Sequence, residues 1–165
     1  MPRLRFHRQV RRPAGFTLIE MIVVVAIVGI LAAAAQPMLV LSARRQKEVE
    51  LRQGLRHLRT AIDAYRQAVD EGRIARRPND DEGFPPTLGA LADGVPDARL
   101  KDRKVYFLRR LPRDPFADPA IPAAQTWGLR SYASPPDAPQ PGTDVFDVYS
   151  RAEGVGLDGR PYREW

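Results

Sequence analysis

The sequence predicts an α+β protein in which a long N-terminal helix packs on a small antiparallel β-sheet, with a loop-rich C-terminal region. Two patterns carry this prediction: an apolar stretch continues into a second stretch with helical periodicity, and short β-branched and aromatic segments follow between turn-forming residues. The chain has 165 residues, of which 44% are hydrophobic. It can therefore bury a core, though a small one.

Residues 16–41 form an apolar stretch in which Glu20 is the only charged residue. At about 1.5 Å per residue, a helix of this length measures roughly 39 Å, which exceeds the hydrocarbon core of about 30 Å. Five arginines and no acidic residue precede Gly15, a bias that keeps this end of a spanning helix in the cytoplasm. The pattern predicts one membrane-spanning helix, with everything after Leu41 outside the cytoplasm.

A secretory signal peptide is the alternative for the same region, with Ala33, Ala34 and Ala35 as a small-residue cleavage site. Two features favour an anchor instead. Glu20 interrupts the apolar region near its start, and no turn signal beyond Pro37 separates this region from the helical pattern that follows.

Residues 42–72 carry apolar side chains at alternating steps of four and three, which is the spacing of one buried stripe on a helix. The stripe consists of Leu51, Leu55, Leu58, Ile62, Tyr65 and Val69. We expect it to pack against the sheet, and we expect Gly72 to end the helix. Gly54 costs this helix up to about 1 kcal/mol relative to alanine, which indicates a bend or a close contact there.

Residues 73–165 are rich in proline and glycine and lose the helical periodicity, which indicates loops around short elements. Thr87 is a candidate cap for a short helix that extends through Leu91. The strand candidates are Val105 to Leu108, Trp127 to Tyr132 and Val145 to Tyr149. We expect these strands to form one small antiparallel sheet.

The formal net charge of +6 does not indicate a nucleic-acid-binding domain, because it comes largely from residues 1–15. Without the five arginines of that segment, 21 basic residues face 20 acidic ones. The absence of cysteine excludes disulfides within the chain and thiolate chemistry. A Ser-His-Asp triad would depend on His57, which lies in a charged helical segment and is expected to be a partly exposed helix residue.

The N-terminal junction resembles the class III signal of type IV pilins and type II secretion pseudopilins. It reads Ala-Gly-Phe-Thr-Leu-Ile-Glu over residues 14–20 and precedes the spanning run. The resemblance implies cleavage after Gly15 by a prepilin peptidase and N-methylation of the new first residue, Phe16. It also implies that Glu20 and the helix-bending Pro37 serve filament assembly.

Glu20 is expected to need a partner, because a carboxylate in an apolar helix costs free energy when it is unpaired. In a filament of bundled helices, the Glu20 carboxylate can meet the Phe16 ammonium of a neighbouring subunit. A wrongly docked subunit would leave the charge unpaired, so Glu20 would set register and recruitment. The alternative is a carboxylate that snorkels to the cytoplasmic interface.

Two later motifs resemble the G-type major pseudopilins of type II secretion. Leu111 to Phe116 reads Leu-Pro-Arg-Asp-Pro-Phe and is similar to their Leu-Pro-x-Asp-Pro-Trp motif, with phenylalanine in place of tryptophan. Asp147 to Ser150 resembles their Asp-Leu-Tyr-Ser strand.

The G-type resemblance also implies a calcium ion in the loop that follows this strand. Calcium requires six to eight oxygen ligands, whereas this loop is short and has few carboxylates. Glu153 and Asp158 are the candidate ligands. Packing of Tyr162 and Trp165 is the alternative means of holding the loop.

The chain is identified as a member of the type IV pilin-like family, most similar to the G-type pseudopilin. The implied parts are a cleaved basic leader over residues 1–15, a transmembrane and assembly helix over 16–41, and a periplasmic domain over 42–165. The implied role is a non-enzymatic subunit of a periplasmic pseudopilus, a homo-oligomeric filament assembled from the inner membrane to help export folded proteins. The implied partners are other pseudopilins, the prepilin peptidase and methylase, an inner-membrane platform protein and an assembly ATPase, and nucleic acid is not among them.

Two other functions are alternatives. A type IV pilin in adhesion, twitching or DNA uptake carries the same signal, although many such pilins close a C-terminal loop with a disulfide, which a chain without cysteine cannot form. A periplasmic enzyme on a membrane tether would need a catalytic constellation, and none can be assembled from this sequence.

Overall fold

The computed structural model describes residues 15–78 and 82–165 of the chain. The predicted leader over residues 1–15 therefore lies outside the described residues, except for Gly15. Within the described part, the elements in chain order are helix α1 (Leu18–Asp70), helix α2 (Gly89–Asp93), and strands β1 (Val95–Pro96), β2 (Lys104–Val105), β3 (Trp127–Arg130) and β4 (Asp147–Ser150). Two short 3₁₀ helices are Ala123–Gln125 and Tyr162–Glu164.

The chain divides into two compact units, Met1–Ser42 and Ala43–Trp165. We call the second unit the head. The first unit contains the apolar start of α1, and the head contains the rest of α1 together with the other elements named above. The α+β class predicted from the sequence is confirmed.

The apolar stripe of α1 forms one side of the core of the head. Every member of the predicted stripe, from Leu51 to Val69, is buried. The stripe shares one hydrophobic cluster with side chains from α2, the strands and the loops between them, including Phe84, Leu91, Trp127, Val145 and Val148. The predicted packing of this helix face is therefore confirmed.

Helix α1 ends at Asp70, and Gly72 provides the stop that the sequence predicts. Gly72 has a left-handed backbone conformation with φ of 69°, which glycine adopts without steric cost. The next residue, Arg73, donates its backbone N–H to the Ala68 carbonyl at 2.8 Å. This bond satisfies a carbonyl that the end of the helix would otherwise leave free.

The strands form two separate two-stranded antiparallel sheets, so the expectation of one sheet is wrong. Strand β1 pairs with β2, with Val95 opposite Val105. Strand β3 pairs with β4, with Leu129 opposite Val148. The β1 strand was not predicted; it contains Pro96, a residue that sheets tolerate at their edges.

The predicted strand over Val105 to Leu108 is largely wrong, because only Val105 belongs to β2. The backbone N–H groups of Phe107 and Leu108 instead donate to the Leu91 carbonyl, at 3.0 Å and 2.9 Å. Hydrogen bonds to Leu91, in the middle of α2, thus replace a strand ladder.

The other two predicted strands are confirmed with shifted ends. Strand β3 stops at Arg130, because the next backbone N–H, that of Ser131, donates to the Gln140 carbonyl. Strand β4 begins at Asp147, since Val145 donates its N–H to the Pro85 carbonyl at 2.8 Å.

Short helix α2 is also confirmed with shifted bounds. It extends beyond Leu91 to Asp93. The Thr87 hydroxyl accepts a hydrogen bond from the Ala90 backbone N–H at 3.3 Å, as a capping side chain does.

Gly54 permits a close approach between α1 and the Trp127 indole. A Cβ at position 54 would lie 3.2 Å from the Trp127 Cη2 atom. The indole is buried and donates its Nε1–H to the Pro112 carbonyl at 2.9 Å. The predicted close contact at Gly54 is therefore confirmed.

We expect Gly54→Leu to lower the free energy of unfolding by about 1–3 kcal/mol, because the added side chain must displace the Trp127 ring. Gln53→Leu is the matched control, since position 53 is exposed on the same helix turn and surface substitutions usually stay within about 0.5 kcal/mol. Urea unfolding of the detergent-solubilised protein, followed by tryptophan fluorescence, measures both. Equal stability of the two variants would show that the ring has room to move.

Candidate functional site

The segment from Gly15 to Thr17 precedes α1 and is exposed. The Thr17 hydroxyl accepts a hydrogen bond from the Glu20 backbone N–H at 3.3 Å, and the Thr17 carbonyl accepts one from Met21 at 3.2 Å. Thr17 thus caps the helix and places Glu20 in its first turn. A carboxylate is favoured there by the positive end of the helix dipole.

The apolar side chains at the start of α1 are exposed in the single chain. More than half of the surface of each of the following is accessible: Phe16, Leu18, Ile19, Ile22, Val25, Ile27, Val28, Ile30 and Leu31. The helix is long and apolar enough to cross a membrane. A surface of this size needs cover from lipid or from other chains.

Glu20 lies within this apolar surface, and its side chain is exposed. In the part of the chain that the structure describes, its carboxylate pairs with no basic group. Pro37 falls within the range of α1, and its role in bending the helix stays a prediction.

The two motifs singled out in the head are in direct contact. Asp114, from Leu-Pro-Arg-Asp-Pro-Phe, accepts a hydrogen bond from the hydroxyl of Ser150, the last residue of β4, at 2.5 Å. This distance is typical of a hydroxyl that donates to a carboxylate. Both side chains are buried, so the bond ties two segments 36 residues apart inside the core.

Asp114 also organises its own loop. Its other carboxylate oxygen accepts the backbone N–H of Phe116 at 2.8 Å, and its own N–H donates to the Thr126 hydroxyl at 3.1 Å. These bonds offset the cost of burying the side chain. The motif therefore holds its own loop in shape and connects it to the end of β4.

The loop after β4 is fastened to α1 through Glu48, which is 6% exposed. Its Oε1 atom accepts hydrogen bonds from the Leu157 backbone N–H and the Tyr162 hydroxyl, both at 2.9 Å. Arg44 lies 3.5 Å from the same oxygen. Burial, together with the nearby Glu48, raises the pKa of the Tyr162 hydroxyl, and the hydrogen bond from Arg44 acts against this rise.

The predicted calcium ligand Asp158 contacts arginines. Its Oδ2 atom lies 2.8 Å from Arg52 of α1 and 3.4 Å from Arg160. The backbone N–H of Arg160 donates to the other oxygen at 3.1 Å, and this bond, followed by the two guanidinium charges, lowers the pKa of Asp158.

The other predicted ligand, Glu153, is exposed and lies in a different environment from Asp158. It lines a cavity with Arg151 and Arg163, whereas Asp158 lines one with Glu48 and Arg52. The described residues bring together no group of three or more histidine, cysteine or acidic side chains suited to a metal ion. The two candidate ligands therefore line separate cavities.

The sequence patterns missed the residues of α1 that hold the loop after β4 and the segment that follows it: Arg44, Glu48, Arg52 and Arg59. A signal existed for one of them. Glu48 precedes Leu51 by three positions and so lies on the apolar stripe, where a charged side chain indicates a buried polar contact. The positions of the arginines in the sequence indicate only a solvent-exposed helix face.

Comparison with known proteins extends over both units of the chain. The chain is 33% identical to the type II secretion system core protein G of Pseudomonas aeruginosa over 154 residues, which cover 92% of this chain and 89% of that protein. It is 31% identical to the protein of the same name from Vibrio cholerae over 158 residues, with 92% of each chain covered.

Two further matches are shorter. Residues 10–36 match the prokaryotic N-terminal methylation motif. A stretch of 62 residues is 47% identical to a type IV major pilin protein of Myxococcus xanthus and covers 38% of this chain and 28% of that pilin. No solved structure matches the chain significantly.

We expect Asp114→Ala to lower the free energy of unfolding by about 1–3 kcal/mol, because the Ser150 hydroxyl and the Phe116 N–H lose a buried acceptor. Asp118→Ala is the matched control: Asp118 is exposed and makes a similar hydrogen bond to a backbone N–H two residues on. Urea unfolding compares the two variants. A control as destabilised as Asp114→Ala would mean that the loop turn, rather than the buried joint, carries the effect.

Proposed function

Because the chain belongs to the family of the type II secretion system core protein G, we propose that it is a structural subunit of a periplasmic pseudopilus. The observation that carries this proposal is the extent of the match, which covers 92% of the chain and so includes the head as well as the apolar helix. The pseudopilus is the filament that helps a type II secretion system export folded proteins.

Processing begins, in this proposal, with cleavage after Gly15 and N-methylation of Phe16. The match of residues 10–36 to the N-terminal methylation motif supports this step. The described structure is compatible with it, since Gly15 and Phe16 are exposed and precede the first helical residue, Leu18. A peptidase can reach a bond in such a segment without unwinding the helix.

Assembly then covers the apolar start of α1 with the same surface of neighbouring copies. The Glu20 carboxylate pairs with the Phe16 ammonium of an adjoining subunit, and Pro37 bends the helix to fit the bundle. The exposed apolar side chains and the unpaired carboxylate in the described chain support this arrangement.

The proposed topology is a single pass through the inner membrane, with the N-terminus in the cytoplasm and the head in the periplasm. The apolar helix and the arginines before Gly15 support it. The partners are further copies, other pseudopilins, the prepilin peptidase and methylase, an inner-membrane platform protein and an assembly ATPase. Nucleic acid is not among them.

The role is structural rather than catalytic. His57, the histidine on which a catalytic triad would depend, is an exposed side chain of α1. The buried carboxylates Glu48 and Asp114 are engaged in joining parts of the head.

A type IV pilin is the second candidate function. It is supported by the 47% identity to a Myxococcus xanthus pilin, but that match covers 38% of this chain. The longer matches to secretion proteins favour the pseudopilus.

We expect Gly15→Val to accumulate as uncut precursor, because a bulky side chain does not fit a peptidase that takes glycine at this position. Gly15→Ala should be processed more fully, since it adds a single methyl group. Gly29→Val, a substitution in the open apolar part of α1, is the matched control and should be cut normally. Intact mass and N-terminal sequencing measure the result. A wild-type terminus near Gln36 would instead mean cleavage by signal peptidase and loss of the anchor.

We expect Glu20→Ala to be processed and inserted normally but to yield few filaments. Loss of the carboxylate leaves the Phe16 ammonium of the neighbour unpaired, and an unpaired buried charge costs about 3–5 kcal/mol. Glu20→Asp should assemble partly, because its shorter side chain loosens the pair. Sheared-filament yield is scored against membrane level and processing state. A normal filament yield from processed Glu20→Ala would refute the pairing. The alternative, a Glu20 carboxylate that snorkels to the cytoplasmic interface, would then stand.

A further inference from the structure

The loop between β4 and Tyr162 follows the strand where G-type pseudopilins hold calcium. In this chain, two of its oxygen-bearing groups, the Asp158 carboxylate and the Val155 carbonyl, contact arginines. Asp158 is the clearest case. One of its carboxylate oxygens contacts Arg52 and Arg160, and the other accepts the Arg160 backbone N–H. A cation approaching Asp158 would have to displace these donors.

A second set of contacts between α1 and this loop also involves an arginine. Arg44 donates to the Val155 carbonyl and, at 3.2 Å, to the Tyr162 hydroxyl. Glu48 uses one oxygen to hold the Leu157 N–H and the Tyr162 hydroxyl. A backbone carbonyl and a carboxylate, the two kinds of oxygen that calcium prefers, are therefore engaged with protein donors at this point.

Local charge also disfavours a divalent cation. Arg44, Arg52 and Arg160 lie around the two carboxylates of Glu48 and Asp158, so positive charge is already in excess. Charges at such short separations repel strongly even at an intermediate dielectric. The exposed Glu153 lines a separate cavity with two further arginines and does not redress this balance.

Packing around the Trp165 ring also holds this loop against α1. The Arg52 guanidinium lies 4.2 Å from the centre of the Trp165 ring, and Arg59 donates to the Trp165 carbonyl at 2.8 Å. Gly156 lies against the same ring, where a Cβ would overlap it. Tyr162 packs edge-on to Trp165 at 5.1 Å between ring centres. One arginine thus binds both the loop carboxylate and the indole.

We propose that this chain closes its C-terminal loop with arginines of α1 instead of calcium, with the Arg52 guanidinium serving as the cation for Asp158. The loop is then held by the protein alone. Its order does not depend on the calcium concentration of the surrounding compartment.

The direct test uses the full-length wild-type protein in detergent. Trypsin can cut after Arg151, at the start of this loop, and after Arg163, just beyond its end, whereas Pro161 blocks cleavage after Arg160. The cleavage rate at these two sites, measured by mass spectrometry, reports on closure. The rate is compared in EDTA and in about 5 mM calcium chloride, which exceeds the 10⁻⁴–10⁻³ M dissociation constants of extracellular calcium modules. We expect equal rates. A rate that rises several-fold in EDTA and is restored by calcium, but not by magnesium, would overturn the proposal.

A series of Arg52 variants tests whether the Arg52 guanidinium is the cation that holds Asp158. In EDTA, Arg52→Gln should raise loop cleavage several-fold, because Asp158 and Trp165 both lose their contact. The loop cleavage rate of Arg52→Lys should lie between the rates of the wild type and of Arg52→Gln, since an ammonium keeps the charge but lacks the planar guanidinium surface. Arg56→Gln is the matched control, an exposed arginine one turn further along α1 with no hydrogen bond or ion pair among the described residues.

The wild-type comparison stands independently if Arg52→Gln fails to fold. Equal loop cleavage in Arg52→Gln, Arg56→Gln and the wild type would assign closure to other groups and overturn the role of Arg52.

Discussion

Burial of one apolar stripe of α1 is the constraint on which the rest of the head depends. The stripe presents large aliphatic side chains at helical spacing, and the loops and strands supply the opposing surface around Trp127 and Val148. The two short sheets have few ladder hydrogen bonds of their own. Marginal sheets of two strands need packing against a helix for stability, so the strands depend on their packing against α1.

Buried polar groups then determine how the loops sit on this core. Asp114 joins its loop to the end of β4 through Ser150, and Glu48 joins α1 to the last loop through Leu157. A buried carboxylate is tolerated when several donors meet it, and each of these has at least two. Hydrogen-bonded joints of this kind specify loop positions that apolar packing alone would leave variable.

The parts of the fold that were predictable are those set by periodicity. The stripe from Leu51 to Val69, the stop at Gly72 and the close approach at Gly54 follow from spacing and residue size. The segment from Val105 to Leu108 has β-forming residues, yet two of them, Phe107 and Leu108, donate hydrogen bonds to Leu91 of α2, so tertiary contacts determine the pairing.

The contacts that hold the loop after β4 were less predictable, again because they join segments that are far apart in the sequence. Arg52 and Asp158 are 106 residues apart, and nothing local in either segment indicates the pair. The N-terminal site, by contrast, is contiguous in sequence, so a single local motif identifies its residues. What the structure adds there is the Thr17 cap, which places Glu20 in the first helical turn.

Two carboxylates of α1 differ in their partners, one serving the fold of the head and the other, in the proposed filament, serving assembly. Glu48 has Arg44 four residues before it and finds further donors in its own chain. Glu20 has only phenylalanine, threonine and valines at the positions three and four residues away, so no ion pair can form along its own helix face. In the proposed filament, cleavage after Gly15 creates the missing charge, because it converts the neutral Phe16 amide into an ammonium. In this proposal an uncleaved subunit would lack the charge, and pairing at Glu20 would therefore couple assembly to processing.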